Sequence, residues 1–301
     1  MRSHDSLPEA LQGRIFSVRT GRYYGVSDSR LRGSDLERPF RGVRVHGAVE
    51  SLRDRCRSLS TVMEVHQVFS HQTAAELWGM PLPGTSPVLN VLSLGRRGPM
   101  RRPGVKGWER RDDRLVVCDL DGLRVTTPAD TWCQMAPSLS SQWLVAIGDF
   151  LISGKRTDQG RDDPLCTLEE LEQAVIRHGA RRGAAALASA LPLLRSPVDS
   201  PPESWLRLAL VDGGLPEPEV QLAVRTRAGL RHGDLGYRHA RLLIEYQGDE
   251  HRTSRKRWLA DLTRVQLLED AGYRVLMVGA NDLRDNARAL VSRIRRILES
   301  D

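Results

Sequence analysis

The sequence predicts a mixed α/β protein with more than one domain. At 301 residues the chain is about twice as long as a typical domain. Apolar residues make up 40% and charged residues 28%, which is typical of globular proteins. Helical and strand periodicities alternate along the chain, and the Pro- and Ser-rich segment 195–204 predicts a linker. We therefore expect three regions, at 1–47, 48–195 and 200–301.

Composition and charge restrict the cellular compartment and the class of binding partner that we expect. No apolar run approaches the ~20 residues that span a bilayer, and the N-terminus lacks an apolar signal segment, so we expect a cytoplasmic protein without a membrane partner. The net charge of +7 favours nucleic acid as the partner, although an arginine-rich genome would give the same excess. The excess divides into +5 for residues 1–57, zero for 58–199 and +2 for 200–301. It therefore concentrates in the first region.

The first region predicts a winged-helix-like DNA-binding module. One helix begins near Ser6, a second covers 17–24 and a third follows Ser27, while 38–47 predicts a hairpin wing. The third helix of such a module enters the major groove, and arginine suits contacts to phosphate and guanine. The alternative is a small helical module with a solvated basic face. The candidate DNA contacts are the arginines of this helix and wing: Arg30, Arg32, Arg38, Arg41 and Arg44.

The middle region predicts a mixture of helices and strands without catalytic residues. Apolar periodicity and caps place helices over 52–63, 71–79, 128–136, 141–152 and 168–178, and strands over 88–94, 115–120 and 123–127. Ser70 is the predicted cap of the second of these helices, and Thr167 with Glu170 forms a predicted capping box. We interpret His66, His71 and His178 as structural or surface groups.

The last region predicts a compact unit with the order α-β-β-β-α-β-α. Its helices cover 200–213, 253–270 and 282–298, and its strands cover 219–226, 231–238, 241–248 and 273–279. A two-residue turn at His239 and Ala240 would place Asp234 opposite Glu245 on the more polar face of the central hairpin. Opposed carboxylates destabilise a sheet unless they are compensated, and Mg²⁺ or Mn²⁺ would provide that compensation.

Residues 200–300 resemble the domain related to very-short-patch repair endonucleases, of the PD-(D/E)XK, restriction-endonuclease-like fold. The motifs that carry the resemblance are SPPESW, GDLGY, RLLIEYQGDEHR and DLTRVQLLEDAGYRVLMV. The resemblance implies a magnesium-dependent endonuclease with an αβββαβ core. Its site positions fall on Glu203, Asp234, Glu245, His251, Asp261 and Arg264, with Asp234 and Glu245 as the metal ligands. Gln247 stands where this family commonly has Asp.

Residues 1–150 resemble AbiEi-type antitoxin and transcriptional-regulator proteins. The most specific motif is SHQTAAELWG, at 70–79. This resemblance implies a regulator whose partners are DNA and a toxin encoded elsewhere. The sequence leaves the toxin partner and the oligomeric state open.

The candidate site residues other than Glu245 also have a simpler explanation, which for Asp234 is a role beside a turn or at the surface. Glu203 could cap a helix with Ser200, and Gln247 could be a polar strand end rather than a group that orients water. His251 could be exposed before the helix instead of donating a proton. At i and i+3, Asp261 and Arg264 are most simply an intrahelical ion pair. A solvated basic face is the alternative to phosphate binding by the cluster Arg252, Arg255, Lys256 and Arg257.

Two functional hypotheses follow, from different classes. In the first, the protein is a Mg²⁺- or Mn²⁺-dependent DNA endonuclease, with Asp234 and Glu245 on the metal. In the second, it is a non-enzymatic DNA-binding regulator of antitoxin type, whose nuclease fold is a degenerate scaffold. A structural protein without a nucleic-acid role would be a third possibility, and it would show no salt-sensitive affinity for DNA.

Overall fold

The computed structural model describes residues 6–111, 114–157, 160–247 and 255–300, with the backbone alone for 255–261 and 286. The protein is mixed α/β, as predicted. It divides into two compact units, Met1–Met135 and Ala136–Asp301. The predicted linker at 195–204 therefore lies inside the second unit. In the described ranges, no helix is both long and apolar enough to cross a membrane.

The first unit contains a five-stranded sheet and a separate two-stranded ribbon. Its elements are β1 (Ile15–Ser17), α1 (Val18–Tyr23), β2 (Val43–Val45), α2 (Leu52–Ser60), β3 (Gln67–Phe69), α3 (His71–Leu77), β4 (Leu89–Leu94), β5 (Val105–Arg110), β6 (Val117–Leu120), β7 (Leu123–Thr126) and α4 (Pro128–Met135). The sheet order is β5-β4-β3-β7-β6, in which β4 pairs with β5, and β3 with β7, in parallel. Strand β5 was not predicted from the sequence.

Residues 6–47 differ from the predicted three helices and wing. The helix predicted over 17–24 is present as α1. The helix predicted near Ser6 is reduced to the 3₁₀ turn Glu9–Leu11, and a single 3₁₀ turn, Arg30–Arg32, replaces the third helix. Gly33 ends this turn, and so short a segment cannot offset the cost of helix nucleation. The hairpin expected over 38–47 is reduced to one antiparallel bridge, between Glu37 and Val45, and β2 pairs with β1. The apolar side chains of β2 lie in a core that they share with β3, β4 and β7.

The helix caps of the first unit follow the sequence only in part. Ser51 and Asp54 form a capping box at the start of α2. Ser70 precedes α3 but its side chain accepts no hydrogen bond from that helix. Its Oγ lies 3.0 Å from Nδ1 of His71 instead. Ser70 therefore occupies the predicted N-cap position of α3, but its hydroxyl group does not make the capping hydrogen bond.

The second unit consists of helices and two sheets. Its elements are α5 (Ser141–Ser153), β8 (Arg156–Thr157), β9 (Gly160–Arg161), α6 (Leu168–His178), α7 (Ala184–Ala190), α8 (Pro201–Asp212), β10 (Glu219–Thr226), β11 (Gly229–Tyr237), β12 (Leu242–Gln247), α9 (Arg255–Asp270), β13 (Arg274–Gly279) and α10 (Arg288–Leu298). The capping box of Thr167 and Glu170 opens α6 as predicted. From α8 onward the order α-β-β-β-α-β-α is also as predicted.

The larger sheet of this unit has the order β10-β11-β12-β13. Strands β10, β11 and β12 are antiparallel neighbours, and β13 pairs with β12 in parallel after the crossover through α9. Leu235 pairs with Ile244, which confirms the predicted register of the hairpin. One apolar cluster contains these two residues together with residues of α8 and α10. A second contains Leu222, Leu243 and Leu268 of α9.

Segment 195–204 is fixed to the helices of the second unit by buried polar contacts. The Asp149 carboxylate of α5 accepts hydrogen bonds from Arg195 N (2.6 Å), Ser204 Oγ (2.7 Å) and Arg207 Nη2 (3.2 Å). The side chains of Asp149 and Arg207 are buried. A composition typical of linkers is therefore used here in a structured connection.

Candidate functional site

Three acidic residues from different elements form a candidate site in the second unit. Glu203 lies in the first turn of α8, Asp234 in β11 and Glu245 in β12. We call these three residues the carboxylate cluster. Glu203 and Glu245 are only 6% and 2% exposed, and Asp234 is partly buried. Carboxylates are rarely buried unless a partner compensates their charge, so the partners of each one matter.

Glu203 accepts hydrogen bonds from neutral donors. Its Oε1 accepts from Ser200 Oγ (2.8 Å), and its Oε2 accepts from Asp199 N (3.1 Å) and Gln221 Nε2 (3.2 Å). Glu203 therefore binds the backbone just before α8, whereas the Ser200 side chain accepts no bond from the helix. Burial raises the pKa of Glu203, and these hydrogen bonds offset only part of that rise.

Asp234 lies immediately beyond the last recorded pair of the β11–β12 ladder. Its Oδ2 accepts a hydrogen bond from Tyr246 N at 2.8 Å. Burial raises the pKa of Asp234 well above its usual value, and the negative charges of Glu203 and Glu245 raise it further. The mutual influence of the three carboxylates follows from their proximity. In the absence of a cation, this environment favours the protonated form of Asp234.

Glu245 is held by a two-pronged ion pair with Arg264 of α9. Arg264 Nη1 lies 2.8 Å from Oε1, and Nη2 lies 2.9 Å from Oε2. Nη1 also donates to the carbonyl oxygen of His232 at 3.2 Å. The sequence favoured an intrahelical pair of Asp261 with Arg264. The structure assigns Arg264 to Glu245, because the helix presents it to β12; the Asp261 side chain is outside the described residues.

The other predicted site residues are not placed within the carboxylate cluster. Gln247 is exposed at the end of β12. His251 and Arg252 lie outside the described residues. Arg255 and Lys256 lie in the first turn of α9, of which the backbone alone is described. Their predicted roles stay predictions.

The negative charge of the carboxylate cluster suits a divalent cation, but the arrangement of its side chains does not leave the oxygens of Glu245 available for one. Carboxylate oxygens are the ligands that Mg²⁺ prefers, and the pKa of Asp234 is raised first by burial and then by the negative charges of Glu203 and Glu245. However, Arg264 already bonds both oxygens of Glu245. Within the described ranges, no group of three or more His, Cys, Asp or Glu residues is arranged to hold a metal. A cation held by Asp234 and Glu245 would require Arg264 to release at least one oxygen.

The candidate DNA contacts of the first unit divide into internal and exposed arginines. Arg30 is buried and bonds Asp35 through Nη1 (2.9 Å) and Nη2 (2.6 Å). A Cβ on Gly33 would lie 2.5 Å from Arg30 Nη1, so this pair needs the glycine. Arg44 donates to the carbonyl oxygens of Leu31 (2.5 Å) and Val43 (2.8 Å). Both arginines therefore make internal contacts.

Arg32, Arg38 and Arg41 are exposed. These three are the candidates from the predicted helix and wing whose side chains face solvent. A DNA contact in the first unit would therefore depend on them more than on Arg30 or Arg44.

A second polar arrangement in the first unit was not predicted. The ring of His71 stacks on Trp108, with centroids 4.1 Å apart and planes inclined by 11°. Lys106 Nζ lies 4.4 Å from the Trp108 centroid. His71 has a positive φ of 50°, and burial together with Lys106 lowers its pKa to about 3. The motif SHQTAAELWG contains His71 but gives no indication of its partner in β5.

Comparison with known proteins identifies relatives but not a function. No protein-family model matches the chain. It is 29% identical over 276 residues to "Uncharacterized protein Rv2248" of Mycobacterium tuberculosis strain H37Rv, an alignment that covers 90% of this chain and 96% of the relative. The same values hold for "Uncharacterized protein MT2308" of strain CDC 1551. These names state no activity, so the functional argument depends on the carboxylate cluster.

Proposed function

We propose that the second unit is a divalent-metal-dependent DNA endonuclease whose active site is the carboxylate cluster. The observation that carries this proposal is the placement of three acids, two of them buried, in the first turn of α8 and on the neighbouring strands β11 and β12. Burial, and then the charges of Glu203 and Glu245, raise the pKa of Asp234 there. Clustering of acids with perturbed pKa values is a feature of functional sites. The order α8-β10-β11-β12-α9-β13 and the register of the hairpin support the finer proposal of a restriction-endonuclease-like core.

Mg²⁺ or Mn²⁺ would be held by Asp234 and Glu245, with Glu203 close by. A bound ion of this kind lowers the pKa of water and stabilises the charge that develops on the scissile phosphate. Asp234 would lose its proton when the cation binds, because the cation compensates the repulsion from Glu203 and Glu245. Arg264 holds Glu245 in a fixed orientation and would be released from it in the loaded site.

Phosphodiester hydrolysis adds water across a P–O bond, and the leaving oxygen needs a proton. We assign its donation to His251. The neutral amide of Gln247 can hydrogen-bond a water molecule or a phosphate oxygen but cannot act as a base. Arg252, Arg255 and Lys256 would contact DNA phosphates next to the site. These roles are part of the same proposal.

Plasmid cleavage tests the proposal. Supercoiled plasmid with Mg²⁺ should become nicked or linear with the wild-type protein, and EDTA should abolish the reaction. Asp234→Asn should lower the rate by about 100-fold or more, since it removes a metal ligand. Asp212→Asn, at an exposed position at the end of α8, is the matched control and should cut at the wild-type rate. Equal cleavage by Asp234→Asn and wild type would reject the site.

A second candidate function is a DNA-binding regulator of antitoxin type with a degenerate nuclease fold. The ion pair of Arg264 with Glu245 favours it, because both oxygens of a proposed metal ligand are occupied. Gln247, in place of an acid, favours it as well. Its partners would be DNA and a toxin. The short elements of residues 6–47 add no support to a winged helix, so DNA contact there would depend on Arg32, Arg38 and Arg41.

Promoter binding distinguishes the two functions. The regulator should bind its own promoter with sequence preference, equally well in Mg²⁺ and in EDTA, and should cleave no plasmid with any divalent metal. Replacing Arg32 and Arg41 together by Ala should weaken that binding. Cleavage that requires Asp234 would contradict the regulator as the complete description.

A further inference from the structure

A second polar feature of the second unit is a cleft of about 760 Å³ at the start of strands β12 and β13. Four of its lining residues are arginines: Arg241, Arg274, Arg293 and Arg296. We call it the arginine cleft. Arg241 directly precedes β12, and Arg274 pairs with Leu242 at the first position of the parallel ladder. The carboxylate cluster lies further along β12, towards its carboxyl end, so the cleft is a separate site.

Among the described residues, the charge of the cleft is uncompensated. Its lining contains the four guanidinium groups and no carboxylate. All four arginines are exposed, and none forms an ion pair with any residue in the described ranges. Grouped like charges repel one another, and a concave surface strengthens the potential that they create. An anion in the cleft would relieve this repulsion.

The backbone accommodates the Arg241 side chain at some conformational cost. Arg241 has a φ of 42°, in the left-handed region where glycine is the favoured residue. Gly272 lies across from it with a φ of 83°, and a Cβ there would lie 2.9 Å from Arg241 Nη1. A large side chain thus occupies a position suited to glycine, and a glycine makes room for its guanidinium group. Both features point to a role for the Arg241 side chain.

Helix α10 supplies the other wall. Its buried face contains Leu290, Val291 and Ile294, while Arg293 and Arg296 lie one turn apart on its exposed face. Neighbouring Arg295 reaches away from the cleft, and its Nη2 donates to the carbonyl oxygen of Gly213 at 2.7 Å, whereas Arg296 Nε donates within its own helix, to the carbonyl oxygen of Ser292 at 3.4 Å. Of these three arginines of α10, Arg295 therefore makes a structural contact, and Arg293 and Arg296 line the cleft.

We infer that the arginine cleft binds the phosphodiester backbone of a nucleic acid strand, independently of base sequence. Arginine binds phosphate through two parallel N–H donors, which suits a site built from four guanidinium groups. No Phe, Tyr or Trp side chain lines the cleft for stacking a base, so charge and not base identity would govern affinity. This function goes beyond the proposed endonuclease, and it holds whether or not the carboxylate cluster cleaves DNA.

Anisotropy titration of the full chain with a labelled DNA duplex tests this inference. Asp234→Asn protein in EDTA serves as the background, so that no cleavage interferes. Adding Arg293→Ala and Arg296→Ala should weaken binding about tenfold or more at low salt and reduce the slope of log K against log salt by about 1.8. The change should be the same for unrelated duplex sequences.

The matched control removes the same charge elsewhere in the unit. Arg182 and Arg225 are exposed and do not line the cleft, so their replacement by Ala should change affinity by less than about twofold. Replacing Arg293 and Arg296 by Lys should keep the salt slope, since lysine retains the charge. Exposed helix positions tolerate Ala, and Arg274→Glu provides a second, independent variant of the cleft outside α10.

Equal affinities and salt slopes of the cleft and control variants would overturn the inference. It would also be overturned if the cleft variants lose affinity for pyrophosphate or ATP but bind DNA like wild type, since the site would then serve small phosphates. A failure of plasmid cleavage alone would reject the endonuclease and leave this result unaffected.

Discussion

Helix α8 borders two buried acidic groups that are compensated in different ways. On one side, Ser204 and Arg207 bind Asp149, and Arg207 Nη1 also bonds Glu217 at 2.9 Å. On the other side, Glu203 lies near Asp234 and Glu245. The two groups share a helix and a unit, and each contains buried acids, although Glu217 of the first group is exposed. They differ in the number of arginine side chains that are bonded to the acids.

The Asp149 group is matched in charge. Its two acids, Asp149 and Glu217, are bonded by two arginines, since Arg195 Nη2 reaches Glu217 at 2.7 Å. Arg207 donates in addition to the carbonyl oxygen of Leu193 at 2.6 Å. Burial raises the pKa of Asp149, while Arg207 and Ser204 lower it in part. Such a network ties α5, α8 and the segment between them together.

Within the part of the chain that the structure describes, the carboxylate cluster is not matched in charge. Among the described residues, the guanidinium group bonded to this cluster is that of Arg264, which donates to both oxygens of Glu245. The comparison teaches that burial by itself does not indicate function. An excess of buried acid over buried base is the feature that distinguishes a candidate metal site from a structural network.

The largest expected effect is on the matched group. Asp149→Ala leaves the buried Arg207 with Glu217 as its remaining carboxylate partner, and it also removes the acceptor of Arg195 N and Ser204 Oγ. It should therefore lower the free energy of unfolding by about 3 kcal/mol. Ser204→Ala removes one hydrogen bond and should cost about 1 kcal/mol. Urea denaturation measures both. A loss below 1 kcal/mol for Asp149→Ala would show that the network does not stabilise the unit.

Substitutions at two of the three acids of the carboxylate cluster should change the free energy of unfolding in opposite directions. Glu245→Gln breaks the pair with Arg264 and should lower the free energy of unfolding by about 3 kcal/mol. Asp234→Asn should raise it at pH 7 without metal, because a neutral group replaces one whose pKa is raised by burial and like charge. Urea denaturation of both variants provides the measurement.

The pH dependence of Asp234 has a definite sign. The folded state holds its proton above the unfolded pKa, so the stability contributed by this group falls as pH rises from the unfolded towards the folded pKa. Asp234→Asn should remove that fall. If both variants lose stability equally at pH 7, the cluster is compensated after all and the comparison fails.

The buried, stacked His71 should make the free energy of unfolding of the first unit decrease at acidic pH, by an amount similar to or smaller than the effects above. The folded pKa of about 3 lies below the ordinary value of 6.5, so only the unfolded state gains a proton between these limits. Stability should therefore fall by about 2 kcal/mol between pH 6.5 and 5. Asparagine tolerates a positive φ, so His71→Asn is a suitable variant. In denaturation experiments its free energy of unfolding should not show this decrease at acidic pH. An unchanged slope would place the acid sensitivity elsewhere.

Gln247 should have the smallest effect on stability. It is exposed at the end of β12, so Gln247→Ala should change the free energy of unfolding by less than about 0.5 kcal/mol. Gln247→Asp should increase the affinity for Mn²⁺, because it adds a carboxylate near the cluster. Calorimetric titration measures that affinity. If the affinity for Mn²⁺ does not increase, residue 247 is too far from the metal site to contribute a ligand.

The sequence predicted the second unit better than the first for a physical reason. In β11 and β12, strict alternation around a two-residue turn fixes the register, so the pairing of Leu235 with Ile244 could be derived from local pattern. Strand β1 instead pairs with β2 across a long loop, and the 3₁₀ turn at Arg30–Arg32 has no periodicity to read. Long-range pairing of short elements depends on tertiary contacts.

The candidate site was likewise predictable only in part. Asp234 and Glu245 follow from the register, and Glu203 from the resemblance to nucleases. Arg264 as the partner of Glu245 depends on the rotation of α9 against the sheet, which no spacing in the sequence reveals. The composition of segment 195–204 gave no sign of its contacts to Asp149, because Pro and Ser occur in both linkers and rigid connections.

The most direct test of the proposed metal site is a crystal structure of the protein soaked in Mn²⁺, with anomalous difference density calculated at the carboxylate cluster. The endonuclease proposal predicts a peak bound by oxygens of Asp234 and Glu245, with Arg264 displaced from at least one Glu245 oxygen, and no peak in Asp234→Asn crystals. A cluster without a peak, in which Arg264 still binds both oxygens of Glu245, would contradict it.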